Sequence, residues 1–254
     1  MALDKFIRKL TDDTFYYSDY DFITNSQLGL INKDIRYYRF MRDNPQFREE
    51  TLPMIFGRAY HVAMLEPNEF EDKVVVCDAS SRVTKKYKEL KAEQSNSTII
   101  LRKEYDKIIR MREVLFSHKE VLDLLQTQGK REIANAWQDD DTGVFCKGKA
   151  DYVNGDIIVD LKTTSDASFD GFRSSCMKYG YDRQSAFYSD GFGAKEFVFV
   201  VQGKEAPYNV NIFHCSESFK EQGRMKYKDL LMLYSKYFVN EEEYVDDYIE
   251  IHEL

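Results

Sequence analysis

Lys149-Ala-Asp151-Tyr-Val-Asn154-Gly155-Asp-Ile-Ile-Val-Asp160-Leu-Lys162 holds two β-branched runs joined by Asn-Gly, the dipeptide that most strongly marks a tight hairpin. A two-residue Asn-Gly loop pairs Val153 with Asp156, Asp151 with Ile158 and Lys149 with Asp160, and residues opposite each other share a face. Alternation along each strand then collects Lys149, Asp151, Ile158, Asp160 and Lys162 on one side, and Ala150, Tyr152, Ile157, Val159 and Leu161 on the other. The second side is a core surface. The first is either a solvated face with a cross-strand ion pair or a place where two carboxylates hold a hard divalent cation beside a Lys, the parts that phosphodiester hydrolysis needs.

Outward from the hairpin, strand patterns occupy Glu132 to Trp137, Val144 to Val153, Asp156 to Leu161, Glu196 to Val201 and Tyr208 to Phe213. Helical patterns fall at Ser168 to Lys178, Tyr181 to Gly191 and Glu217 to Tyr237. Strand, strand, strand, helix, helix, strand, strand, helix is the order of a mixed α/β sheet covered by helices. The N-terminal part reads as helical additions: Ser26 caps a helix to about Phe40, and Met54 to Leu65 runs between Pro53 and Pro67. Val83 to Glu93 and Leu101 to Phe116 have helical spacing, and Val74 to Cys77 is a short β-branched run. No repeat or Gly/Ser linker divides the 254 residues, so one domain is expected, with a catalytic core over about 54–215.

Composition excludes several classes. The longest apolar stretches, such as Phe197 to Val201, fall well short of the roughly 20 residues of a membrane span, and MALDKFIRKL lacks a secretory core, so a cytoplasmic protein without membrane partners is expected. Cys77, Cys146, Cys176 and Cys215 match no close-spaced zinc or iron–sulfur pattern, and no iron–sulfur cluster is expected. The formal charge of -8 argues against nonspecific coating of nucleic acid, yet seven acids lie in residues 241–254, leaving 37 acids and 36 bases in residues 1–240. That tail is either a solvated terminus or a partner-binding segment. The near-neutral body can hold a local basic face, with Lys147, Lys149 and Lys162 on the carboxylate side of the hairpin and Arg173, Lys178 and Arg183 flanking it in sequence.

Asp151 followed by Asp160-Leu-Lys162 resembles the PD-(D/E)xK nuclease signature, with Ala150 where the family often has Pro. Two further blocks, Gly57-Arg-Ala-Tyr-His61-Val-Ala-Met-Leu65-Glu66-Pro67 and Tyr181-Asp-Arg-Gln184-Ser-Ala-Phe-Tyr188-Ser-Asp-Gly191, are similar to the RecE-type exonucleases of phage recombination, as is Ser26-Gln-Leu28. The resemblance implies a restriction-endonuclease-like core and a double-strand exonuclease that works from 5′ ends and leaves 3′ single strands for an annealing protein. It further implies a homo-oligomeric ring and a phage or prophage setting in a bacterial host. His61, Asp151, Asp160 and the Leu161 carbonyl are its implied ligands for Mg²⁺ or Mn²⁺; otherwise His61 is a core histidine. Lys162 positions or activates water, and Gln184 and Tyr188, four apart on one helix face, orient Lys162 and contact DNA.

Glu132 stands where related helicase-associated nucleases carry a Glu, and it either assists the metal or is an exposed strand residue. Arg58 shares a helix face with His61 and is assigned to DNA phosphate, with Lys149 and Ser26. The Thr163 and Thr164 hydroxyls either bind phosphate or cap a turn. Two rival readings are a CRISPR-associated or repair nuclease of different polarity or endonucleolytic cut, and a catalytically silent module that binds DNA or a partner.

Overall fold

The computed structural model describes residues 2–253 except 20, 95–96, 126–128, 241–243, 250 and 252. Four helices open the chain: α1 (Ala2–Lys9), α2 (Asp13–Ser18), α3 (Asn25–Lys33) and α4 (Ile35–Asp43). Then come α5 (Leu52–Leu65), α6 (Phe70–Lys73), β1 (Val74–Cys77), α7 (Lys85–Glu93), β2 (Thr98–Leu101), α8 (Arg102–Leu115) and α9 (Lys119–Leu125). The C-terminal half holds β3 (Lys130–Gln138), β4 (Phe145–Asn154), β5 (Ile157–Thr164), α10 (Phe169–Tyr179), α11 (Tyr181–Phe192), β6 (Glu196–Gly203), β7 (Val210–His214) and α12 (Glu217–Tyr234). Among the described residues, no helix is long and apolar enough to cross a membrane.

The strands β3-β4-β5-β6-β7 lie in that order in one mixed sheet, parallel only between β5 and β6, where α10 and α11 make the crossover. Phe197–Val201 of β6 are buried on both faces, as a central strand requires. Val198 and Val200 join Val159, Leu161 and Tyr152 in a cluster with α5 and α8, whereas Phe197, Phe199 and Val201 join Ile158 and the α10 residues Phe172 and Cys176. Helices thus cover the sheet on both sides. Each fully buried side chain of this size contributes about 1.5–3 kcal/mol relative to an exposed one.

Three expectations need correction. The hairpin pairs Asn154 with Ile157, Val153 with Ile158 and Tyr152 with Val159, so the loop is Gly155-Asp156 rather than Asn154-Gly155. Gly155 supplies the positive φ of +55° that this turn needs. The two-residue slip preserves which β5 residues share a face. Ser26 does not cap a helix: Thr24 does, in a reciprocal capping box with Gln27, and the helix breaks at Asp34, which caps α4 in turn. The helix expected from Leu101 begins at Arg102, because Leu101 closes β2 (Thr98–Leu101), parallel to β1 in a separate two-stranded sheet.

Ala150 provides the most consequential difference. Strict alternation puts Ala150 and Tyr152 on one face, but Tyr152 packs toward α5 and α8, whereas Ala150 packs with Ile158 and Phe172 beneath α10. The pleat is interrupted between them, at Asp151. Directly across β3, between the pairs Arg131–Tyr152 and Ile133–Ala150, Glu132 has a φ of +51°, a left-handed conformation that costs a non-glycine residue about 1–3 kcal/mol. Both strands are therefore irregular at one level, and that level is the candidate site.

Of the acidic tail, Glu241, Glu242, Glu243 and Glu250 lie outside the described residues. Asp246 pairs with Arg39 of α4 at 3.2 Å, and Val245 is buried among Tyr38, Tyr234 and their neighbours, so this part of the tail packs on the body.

Candidate metal centre

The carboxyl group of Asp151 sits where β4 and β5 part. The ladder ends at Tyr152–Val159, and in the gap beyond it the Leu161 amide donates to Asp151 Oδ2 at 2.8 Å. From the α5 side, His61 Nδ1 approaches Asp151 Oδ1 at 3.4 Å. Helix α5 is built for this placement: Pro53 lies in its exposed first turn, eight of its side chains are buried against the sheet and α8, and beyond that turn Arg58 and His61 lie on the accessible side. One ligand atom each from His61, Glu132 and Asp151 lie within 4.8 Å of one another. The left-handed turn at Glu132 accompanies this meeting of a β3 side chain with the other two.

The second half of the site comes from the opposite layer. Lys162 Nζ donates to Asp160 Oδ1 and Oδ2 at 2.6 and 2.7 Å, and Gln184 Nε2 of α11 donates to Asp160 Oδ1 at 2.6 Å. The Lys162 ammonium lies 5.0 Å from the centroid of the Tyr181 ring and 5.8 Å from that of Phe199, a cation–π cradle. Tyr188, four residues after Gln184, packs on Gly148, where an added Cβ would lie 2.9 Å from its ring, and its hydroxyl accepts a hydrogen bond from the Lys149 backbone.

Burial and charge set the protonation states. Burial raises the Asp151 pKa, but the charge and hydrogen bond of His61, followed by Lys162, outweigh it and hold this carboxylate well below its usual range. Burial lifts Asp160; Lys162 opposes this, and the neighbouring Asp151 carboxylate pushes it further up, so two carboxylates side by side are driven apart. Burial works against charging His61, yet Asp151 prevails and raises the imidazole to about 9. Burial, with the Asp151 charge behind it, also raises Glu132, against the pull of Lys149, whose Nζ lies 3.0 Å from Glu132 Oε2. One imidazole and several carboxylate oxygens in a half-buried cleft are a donor set suited to a hard divalent cation.

Several sequence-based assignments land elsewhere. Asp160 lies beside the three-residue cluster, engaged by Lys162 and Gln184, while Glu132 takes the third position in it. Leu161 meets Asp151 through its amide. Lys147 is 1% exposed and gives its ammonium to the carbonyls of Tyr16 and Asp19 and to the Asp19 carboxylate, so it is not available to DNA. Arg183 is likewise buried, donating to Asn25 Oδ1 at 2.9 Å. Arg58 is about half exposed and paired with Glu50. The Thr164 hydroxyl exchanges hydrogen bonds with the Asp166 backbone and so shapes the turn, Thr163 is half-buried, and Ser26 is exposed on α3.

Tyr181 was missed by sequence reasoning. It stands three residues before Gln184 and seven before Tyr188, so the same helical spacing that singles out those two places it on their face.

A family model described as "PDDEXK-like domain of unknown function (DUF3799)" matches residues 38–246. Among solved structures, a "Putative exonuclease" from Eubacterium rectale is similar with a TM-score of 0.63 at 14% identity, over 92% of this chain and 91% of that one. A phage related exonuclease from Haemophilus somnus 129PT aligns at a TM-score of 0.34 and 12% identity, over 73% of this chain and 95% of that one. No curated protein matches the sequence.

Proposed function

The chain belongs to the PDDEXK-like family whose model spans its residues 38–246, and on that premise we propose that it is a metal-dependent deoxyribonuclease: a double-strand exonuclease of the RecE type, acting from 5′ ends. The observation that carries this reading is the meeting of His61, Glu132 and Asp151 beside the Asp160–Lys162–Gln184 group. His61, Glu132 and Asp151, with Asp160 beside them, would hold Mg²⁺ or Mn²⁺, which would supply Lewis-acid charge at the scissile phosphate. Desolvation works against the half-buried Lys162 ammonium, but Asp160 and Asp151, which face it, outweigh this and raise its pKa, so it keeps its proton. Its ammonium then holds an attacking water or a phosphate oxygen in line. Gln184 fixes the Asp160 carboxylate, and the rings of Tyr181 and Phe199 exclude bulk water from the ammonium, which strengthens its field.

DNA reaches this acidic protein through local charge. Lys147 and Arg183 are sequestered, so the phosphate contacts in this reading fall to Arg58, Lys149, Thr163 and the exposed Arg173 and Lys178 of α10. The enzyme works in the cytoplasm of a bacterial host as a homo-oligomeric ring on duplex ends and passes 3′ single strands to an annealing protein. Digestion of linear duplex labelled separately at its 5′ and 3′ ends, beside a covalently closed circle and with Mg²⁺ or EDTA, tests the reading. Early release of 5′-terminal mononucleotides from the linear form alone, abolished by EDTA, is expected. Cutting of the circle would instead make it an endonuclease, and no cleavage with Mg²⁺ or Mn²⁺ would make it a silent binding module.

A further inference from the structure

Gln202 is a fully buried amide on β6, beside Thr163 in the parallel ladder, surrounded by the apolar cluster that joins α5 and α8 to the sheet. Its hydrogen bonds reach three separate segments. Gln202 Oε1 accepts from the Tyr60 hydroxyl at 2.7 Å, and Nε2 donates to the Met111 carbonyl of α8 at 2.9 Å and to the Tyr208 carbonyl at 3.3 Å. An unbonded amide in such a place costs about 1–3 kcal/mol, so the network tolerates little displacement of any partner. An apolar pair would glue α5 to the sheet as well, but it would let the helix slide or roll.

Tyr60 immediately precedes His61, and the two rings meet edge to face at 6.1 Å. A roll of α5 by one residue is about 100°, enough to carry the imidazole off Asp151. We propose that Tyr60 and Gln202 are positioning residues for the metal centre: their hydrogen bond fixes the rotation and height of α5, and thereby holds His61 Nδ1 at Asp151. The inference rests on the metal-centre reading and deepens it, since it names what sets the geometry of the imidazole.

Tyr60→Phe removes one hydroxyl from a ring that otherwise still fills its place. In the metal-free protein, the His61 ring resonances, assigned by their loss in His61→Ala, are expected to move and broaden in Tyr60→Phe; resonances superimposable on the wild type overturn the inference. In Mn²⁺ titrations by calorimetry, Tyr60→Phe is expected to weaken affinity on the order of tenfold, and to have no further effect in a His61→Ala background. Equal losses in both backgrounds would mean that the hydroxyl acts on the fold at large, and would overturn it. Gln202→Met is a second route to the same result, and wild-type His61 resonances in that variant would also overturn it. If the wild type binds Mn²⁺ but cleaves no DNA, the nuclease reading falls and this one stands; if it binds no Mn²⁺, the resonances decide alone.

Discussion

Asp151 and Leu161 are joined across the point where two strands separate: the Leu161 amide donates to Asp151 Oδ2, and this leaves Oδ1 to face His61. A carboxylate aimed by a backbone amide needs no side-chain partner to hold its direction. Hydrogen bonding of this kind also stabilises the ionised form, which is the form that takes a cation.

Asp160→Asn is expected to lower DNA cleavage by roughly a thousandfold or more, the loss of several kcal/mol of transition-state charge stabilisation. The amide can keep a contact with Gln184, so the far-UV circular dichroism spectrum should stay that of the wild type. Cleavage retained in a folded Asp160→Asn protein would remove Asp160 from the chemistry.

A divalent cation should stabilise the folded chain. At 100 times its Kd, a ligand that binds only the native state adds about 2.7 kcal/mol, seen as a rise in Tm by scanning fluorimetry with Mn²⁺. Glu132→Gln should shrink that rise while leaving the metal-free Tm close to the wild-type value, because the amide oxygen can still accept from Lys149 and the half-buried negative charge is removed. An identical rise in both proteins would exclude Glu132 from the donor set.

Asp139 gives a pH dependence separate from the site. Burial raises its pKa, but Lys228 and the Thr142 hydroxyl and amide outweigh that and hold it below 3.8. A folded-state value below the unfolded one means stability that is fully present above the unfolded pKa and lost as the pH falls through the folded one. The difference in unfolding free energy between wild type and Asp139→Asn, about 1–3 kcal/mol in urea titrations near pH 7, should therefore shrink below roughly pH 4. A difference that grows on acidification would contradict the assignment.

Lys147→Met is expected to cost about 3–5 kcal/mol, since it leaves the largely buried Asp19 carboxylate without its partner. The damage should show as faster amide exchange in α2 and in the bridge between Ile23 and Cys146. The salt dependence of DNA affinity should not change, because this ammonium meets no phosphate.

Much of this fold was legible in the sequence because its strands are β-branched runs of ordinary length and its helices are punctuated by Pro53, Pro67 and Ser168. The hairpin and its PD-(D/E)xK-like spacing marked Asp160 and Lys162, the two flanking blocks marked His61 and Gln184, and the structure gathers all four around one cleft. What pattern reading could not supply was the face of Ala150 or the approach of Glu132. Both follow from a break in the pleat at Asp151, and a period of two has no way to announce its own interruption. Lys147 failed for the same reason: alternation put it on the face of Ile158, Asp160 and Lys162, yet those residues lie toward α10 and α11 while Lys147 turns to Tyr16 and Asp19. The cap at Thr24 was readable, since Thr24-Asn-Ser-Gln27 is a capping-box sequence.

Because the centre straddles the sheet, its parts come from both ends of the chain: His61 from an early helix, Gln184 from one that emerges more than a hundred residues later. A nascent or half-melted protein therefore holds only fragments of the machinery. The fold itself therefore limits the complete set of side chains to molecules that have finished assembling.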